Sequence, residues 1–145
     1  MSLFGAISVS ASGMDAQRLR AEIITENLAN ADTTRTPEGG PYRRKSAVFT
    51  TTEAPPSFES EFSLATAGEN QGVAVSQVTI DDRDPDLRYL PGHPDADAQG
   101  YVAFPRVSPA EEMVDLMGAS RGYQANVAAI SAVKDMIARS LDLFK

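Results

Sequence analysis

The chain has 145 residues, 42% hydrophobic and 23% charged, which suits one domain with a core and excludes wholesale disorder. Its formal net charge is -7, with 20 acidic residues against 13 Lys and Arg, so a phosphate backbone is repelled and no nucleic-acid partner is expected. There is no cysteine, which removes disulfide frameworks and thiolate metal sites.

The opening stretch "MSLFGAISVS" has no basic segment, and serines interrupt its apolar run. A cleavable signal peptide is therefore not expected, and neither is direct membrane insertion, because no segment reaches the ~20 apolar residues that span a bilayer. Residues 1–32 read as a helix instead. Ile7, Met14, Ala21 and Leu28 repeat at sevens, with Leu3 and Ile24 between them. Asp15, Arg18, Arg20, Glu22 and Glu26 supply the polar residues. Gly13 costs about 1 kcal/mol relative to Ala, so this helix is weak alone. Its many small residues before position 17 point to close approach by another helix.

Residues 33–107 hold most of the prolines and glycines, and "TPEGGPYRRK" and "EAPPSFES" are turn-rich. Lys45–Thr51, Gly72–Ile80 and Tyr101–Val107 have the Val, Thr, Ile, Phe and Tyr content of strands. Two or three short strands in one small sheet are expected, and a sheet of that size needs support from elsewhere. The basic triplet Arg43-Arg44-Lys45 reads as a solvated loop or as a contact to an acidic neighbour.

The last segment, 108–145, marks its own start. Ser108 stands at the N-cap, Pro109 at the first helical position and Glu111 three after the cap. A helix of about 36 residues would run about 54 Å. Leu116, Tyr123, Ile130, Ile137 and Phe144 recur at sevens, joined by Val127, Val133 and Leu141. Ala125, Ala129 and Met136 widen the arc, and Arg121, Asp135 and Arg139 hold the opposite face. That arc is wider than a two-helix seam requires, so this helix wants one partner along the row and another along the wing. Gly118 and Gly122 are further candidates for close helix contact. The polar Ser120 and Lys134 interrupt the row and either set register or lie on the surface.

Chemistry finds little support. "DADAQG", Asp95 to Gly100, imitates the start of a calcium loop, but its twelfth position is Arg106, where a bidentate carboxylate is needed. A polar turn entering a strand is the better reading. His93 is the only histidine and sits between prolines on an expected exposed loop, so no triad or His-based metal site is built on it. "EGGPY" lacks the Lys and the strand–loop–helix setting of a phosphate loop. Asp81, Asp82, Asp84 and Asp86 lie in a turn-rich stretch with nothing apolar to raise a pKa. No enzyme activity, metal or cofactor is expected.

The two ends carry a family resemblance. "ISVSASGMDAQRLRAEIITENLANADTT", Ile7 to Thr34, resembles the N-terminal signature of bacterial flagellar axial proteins. Gly13, Met14, Gln17, Asn27, Asn30 and Thr33 stand at its motif positions. "EMVDLMGASRGYQANVAAISAVKDM" resembles the C-terminal signature, with Tyr123, Gln124 and Asn126 in its core and Lys134 and Met136 beyond. "GGPYRRKSAVF" and "HPDADAQGYVAFPRV" narrow the likeness to C-type subunits of the proximal rod of the flagellar basal body. Gly122 departs from the family's more usual Ser, and Arg106 from Asn; neither departure is expected to touch the architecture. Residues 50–92 carry little of the match.

The resemblance implies a mainly α chain whose N- and C-terminal helices form an antiparallel coiled-coil-like hairpin, with a loop-rich β-containing middle. It implies a structural rod subunit without enzyme activity, packed into a torque-transmitting tube through the seam residues Ile7, Met14, Ala21, Ile24 and Leu28 and the row on the last helix. Its partners would be other copies, other rod subunits and the flagellar type III export apparatus, and its place the periplasmic rod. Asn27 and Asn30, three apart on one helical face, would fix the exit of the chain from the first helix. The rival reading is a cytosolic helical adapter or flagellar export chaperone.

Overall fold

A computed structural model of the chain describes residues 3–52 and 72–142. The first helix, α1, runs from Leu3 to Ala29, and the last, α2, from Pro109 to Asp142. The start of α2 falls where its cap predicts: Pro109 takes the first helical position, where a missing N–H is harmless. Ser108 C=O accepts the first helical bond, from Glu112 N at 3.0 Å. At the other end of α1, Asn30 Nδ2 donates back to Glu26 C=O at 2.9 Å. Thr33 N donates to Asn30 C=O and Thr33 Oγ1 to Asn30 Oδ1. The chain thus leaves α1 through hydrogen bonds to loose carbonyls. The left-handed turn that asparagine tolerates is not used, since no described residue other than glycine has positive φ.

The helices pack along most of α1, and as residue number rises in α1 it falls in α2. Gly13 lies under Asn126, Gln17 under Gly122, Arg20 beside Asp115 and Asn27 beside Glu112. A Cβ on Gly13 would stand 2.9 Å from Asn126 Nδ2, and one on Gly122 would stand 3.1 Å from Gln17 Cδ. Each helix thus gives up a side chain where the other presents an amide. Gly122 therefore bears directly on the architecture, contrary to expectation. Asn126 Nδ2 also donates to Gly122 C=O at 3.0 Å, holding its amide over that gap. Gly118, by contrast, has nothing within 4 Å of a Cβ position.

Among the described residues four strands form two separate antiparallel pairs, where one small sheet is expected from sequence. β1 (Lys45–Thr51) pairs with β2 (Val73–Ile80), with a register shift between Val48 and Phe49. β3 (Asp86–Tyr89) pairs with β4 (Tyr101–Phe104). β3 is missing from the sequence reading because "DLRY" is half charged and follows three aspartates. Its pairing comes from β4, whose Val102 and Phe104 are buried, while all four β3 residues are exposed. Strand β4 stops at Phe104, before Pro105, which has no N–H to continue a ladder.

The β1–β2 pair is anchored to α1, and the β3–β4 connection is tied to the loop that follows α1. Ser12 Oγ accepts from Val73 N at 3.0 Å and donates to Val9 C=O at 2.8 Å. The approach is so close that a Cβ on Gly72 would sit 2.6 Å from that hydroxyl. Asn27, fifteen residues along α1, holds the other end of the β1–β2 ribbon at Lys45. "DADAQG" is the turn into a strand that its sequence suggests. Asp97 Oδ1 accepts from Gln99 N and Tyr101 N, and Gly100 has a φ of 84°. His93 is half-buried instead of exposed, its Nδ1 accepting from Asp95 N beside the Phe104 ring.

The contrast between the glycines is testable by thermal unfolding of the isolated chain. Gly118→Ala gains about 1 kcal/mol of helix propensity with no steric cost and raises the midpoint. Gly122→Val, forced against Gln17, lowers it.

Candidate functional site: a packing surface and its buried node

At the base of the helix pair lies a buried polar node. Asn27 is 0% exposed and uses its whole amide. Its Oδ1 accepts from Lys45 N at 2.9 Å and Tyr42 OH at 2.9 Å. Its Nδ2 donates to Lys45 C=O at 2.8 Å and Glu112 Oε2 at 3.1 Å. The amide meets both polar atoms of the Lys45 peptide as a neighbouring strand would, so α1 acts as the edge partner where β1 begins.

Glu112, 1% exposed, is the charge at the centre. Its Oε1 accepts from Arg44 Nε at 2.6 Å. Arg44 reaches on to Ser46 Oγ at 2.8 Å and Asp115 Oδ2 at 3.5 Å, and Asp115 Oδ1 meets Arg20 at 3.2 Å. Lys45 Nζ pairs with Glu26 Oε1. The basic triplet is thus a set of contacts to acidic neighbours, Arg43 included, through Asp82. A buried carboxylate is tolerable only when hydrogen-bonded and paired, and here both conditions hold.

Tyr42, at the mouth of the node, is buried and has its phenol pushed up to about 12. Desolvation is the main cause, and the nearby carboxylates of Glu26 and Glu112 add to it. Its backbone N–H donates to Thr33 C=O, so the loop leaving α1 returns to the helix it left. Thr34 Oγ1 donates to Asp95 Oδ2 at 2.8 Å, tying that loop to the β3–β4 connection.

The predicted packing residues divide sharply. On α1, Ile24 is buried, and Ile7, Met14, Ala21 and Leu28 are half-buried. On α2, Val133 is buried, and Leu116, Ile130 and Ile137 are half-buried. Tyr123, Val127 and Leu141 stand exposed at 41%, 42% and 62%. Phe144 lies outside the described residues. The seam against α1 is centred on a different heptad row, Glu112, Ala119, Asn126 and Val133, with Gly122 beside it. Of the motif residues, Gly13, Gln17, Asn126 and Asn27 meet at the seam and the node. Asn30 and Thr33 close α1, whereas Gln124, Lys134 and Met136 face outward. Ser120 and Lys134 are exposed, so surface placement accounts for both.

The residues that sequence reasoning missed are Tyr42 and Glu112; Arg44 is legible only as part of a basic triplet, without its partner. Glu112 had a signal: it starts a row of sevens with Ala119, Asn126 and Val133. Tyr42 had none, because only the fold brings it to Asn27. No cluster of three or more metal-ligating side chains occurs among the described residues, and no described helix is long and apolar enough to cross a membrane. The site's polar groups bond to one another, and what they do is hold three segments together.

Two outcomes follow. Asn27→Ala strips partners from a buried carboxylate, a phenol and a peptide group, lowering the unfolding free energy by about 3 kcal/mol or more. Asn30→Ala, at a half-buried helix end, costs about 1 kcal/mol; denaturant titration of both variants checks the ordering. The second outcome is alkaline. Because folding raises the Tyr42 pKa from 10.0 to about 12, its contribution is complete below pH 10 and is lost as pH climbs toward 12. Tyr42→Phe flattens that alkaline limb, read as unfolding midpoint against pH.

Comparison with known proteins agrees with these features. Residues 98–143 match the family model described as "Flagellar basal body rod FlgEFG protein C-terminal", and residues 7–35 match "Flagella basal body rod protein". The chain is 43% identical over 152 residues to the flagellar basal-body rod protein FlgC of Bacillus subtilis, covering 100% of both chains. It is 40% identical over 151 residues to that of Borreliella burgdorferi, covering 100% of this chain and 99% of the relative. It is 42% identical over 144 residues to that of Escherichia coli O6:H1, covering 99% and 98%. The chain belongs to the family of flagellar basal-body rod proteins.

Proposed function

We propose that the chain is a structural subunit of the proximal rod, built into the tubular shaft that carries torque from the motor to the hook. The observation behind this is where the apolar side chains stand. The contact between α1 and α2 uses glycine, alanine and amides together with the buried Val133, while other large apolar groups of α2 remain open on both sides of it. On a 3.6-residue helix, Leu116, Tyr123, Val127 and Leu141 form one flank. Val114 and Met136, 62% and 49% exposed, lie on the other among Gly118, Ala125 and Ala129.

Large exposed apolar patches on a soluble chain mark interaction sites. Full cover of one such side chain contributes about 1.5–3 kcal/mol, so a few per subunit make assembly favourable against the ordering it demands. The reading takes the helix pair as an antiparallel coiled-coil-like hairpin. The neighbours are other copies and other rod subunits, one against each open flank. The role is mechanical and needs no catalysis or cofactor. Export through the flagellar type III apparatus brings the subunit to the periplasmic rod. The absence of cysteine suits a chain that crosses between redox compartments.

The test uses residues that are already exposed, so the fold is spared. Tyr123→Asp and Val127→Asp should leave expression and the unfolding midpoint close to the parent's while abolishing swimming and recovery of the chain with purified basal bodies. Swimming at parental speed in both variants would remove the case for the open flank.

A further inference from the structure

Each ribbon keeps an open edge. Leu90 N donates to Gly100 C=O, so by the alternation of an antiparallel ladder Leu87 and Tyr89 turn their N–H and C=O groups away from β4. Asp81 N donates to Arg44 C=O, so Ile80 and Val78 likewise turn theirs away from β1. No described residue bonds to these outward groups. The first helix leaves the β2 edge clear at this end. It meets the β1 edge at Lys45 through Asn27 and the β2 edge at Val73 through Ser12, so it lies on the β1 side where Ile80 stands opposite Lys45.

The two edges match in length and in face. On β3, Pro85 and Pro91 take the next outward positions on either side. Proline has no N–H to give, which leaves outward donors at Leu87 and Tyr89. On β2, the extra residue Ser76 breaks the ladder before Val78, and the strand ends at Ile80, which leaves Val78 and Ile80. Each outward pair lies on one face of its own ribbon with its side chains open. Leu87 and Tyr89 are 64% and 62% exposed, with Tyr101 edge-on to Tyr89 at 5.4 Å, and Val78 and Ile80 are exposed too. Charge does not blunt this face of β3, because Asp86 and Arg88 sit on the opposite one and pair with each other at 3.1 Å. An open apolar edge of this kind is a template for strand pairing.

We propose that the β3 edge of one copy pairs antiparallel with the β2 edge of a second copy, Leu87 opposite Ile80 and Tyr89 opposite Val78. The inference rests on the rod-subunit reading, because it needs copies held side by side. The chain itself supplies both halves of the contact, and that selects a second copy as the occupant. Residues directly opposite share a face, so this register gathers four exposed apolar side chains on one face and joins two ribbons that are each marginal alone. A slip of one residue would turn Leu87 and Tyr89 away from Val78 and Ile80. The next pair, Asp81 opposite Asp86, brings no bare charges together, since Arg83 and Arg88 are already bonded to them. The contact is head-to-tail, so each copy keeps a second edge for the next neighbour, as a continuing shaft requires.

The chain has no cysteine, so an introduced disulfide is read against no background. No Cα of β2 lies within 8 Å of one of β3 in the same chain, and a disulfide needs less than about 7 Å. Ile80→Cys combined with Leu87→Cys therefore closes only between copies, and both positions are exposed, so the fold is spared. Basal bodies containing this double variant are oxidised and run on a non-reducing gel. The expected products are dimers and longer ladders of the chain, their linked peptides joining position 80 of one copy to position 87 of another. No linked product, links between like positions, or links to a different protein would overturn the proposal. Leu87→Lys is run alongside Tyr123→Asp, and its recovery in basal bodies should fall at least tenfold with an unchanged unfolding midpoint. Should Leu87→Lys incorporate like the parent while Tyr123→Asp fails, the edge inference falls and the rod-subunit reading stands. Should both incorporate normally, both fall.

Discussion

Two long helices here meet most closely where glycines face amides, with Val133 buried further along the same row, and much of the rest follows from that choice. Gly13 under Asn126 and Gln17 under Gly122 bring the backbones together without large apolar side chains between them. A seam of this kind favours its register, because Asn126 and Gln17 each occupy space that a Cβ on the facing residue would fill. It contributes less burial than a leucine-filled seam of the same length. The apolar residues that could have filled it lie on the flanks of α2, outside the pair. The single chain is thus well registered and incompletely covered, which suits a part whose remaining contacts are made in an assembly.

The node at Asn27 solves a second problem. A two-stranded ribbon is marginal by itself, and the β1–β2 ribbon here leans on α1. Asn27 serves as strand edge to Lys45, acceptor to Tyr42 and donor to Glu112, so α1, β1 and α2 are locked at one point. Ser12 pins the other end of the same ribbon on α1. With both ends fixed, the β1–β2 ribbon rides on α1. A buried ionic node is a modest source of net stability but a stringent one geometrically, and a shaft component needs the geometry.

The helices were largely legible from local signals. Ser108, Pro109 and Glu111 mark the start of α2, and Asn30 and Thr33 close α1 through side chains close in sequence. The β1 bounds followed from composition, whereas β3 did not, because its pairing is imposed by the partner strand. The buried heptad was harder to see. Periodicity rewards large apolar residues, so it selected the Leu116 row and passed over Glu112, Ala119 and Asn126, whose burial depends on α1 being close. Arg44 and Tyr42 could not be found from spacing at all, since about seventy residues separate them from Glu112. The resemblance to flagellar axial proteins supplied what periodicity lacked, marking Gly13, Gln17, Asn27 and Asn126 as special without saying why. Contact geometry gives the reason.

The central claim is that the open flank of α2 is a surface awaiting cover. Hydroxyl-radical footprinting of Tyr123, Val127 and Leu141, in the dilute chain and in intact basal bodies, tests it at the residues concerned. The account predicts ready labelling in the free chain and strong protection in the assembled rod. Equal labelling of all three side chains in both states would contradict it.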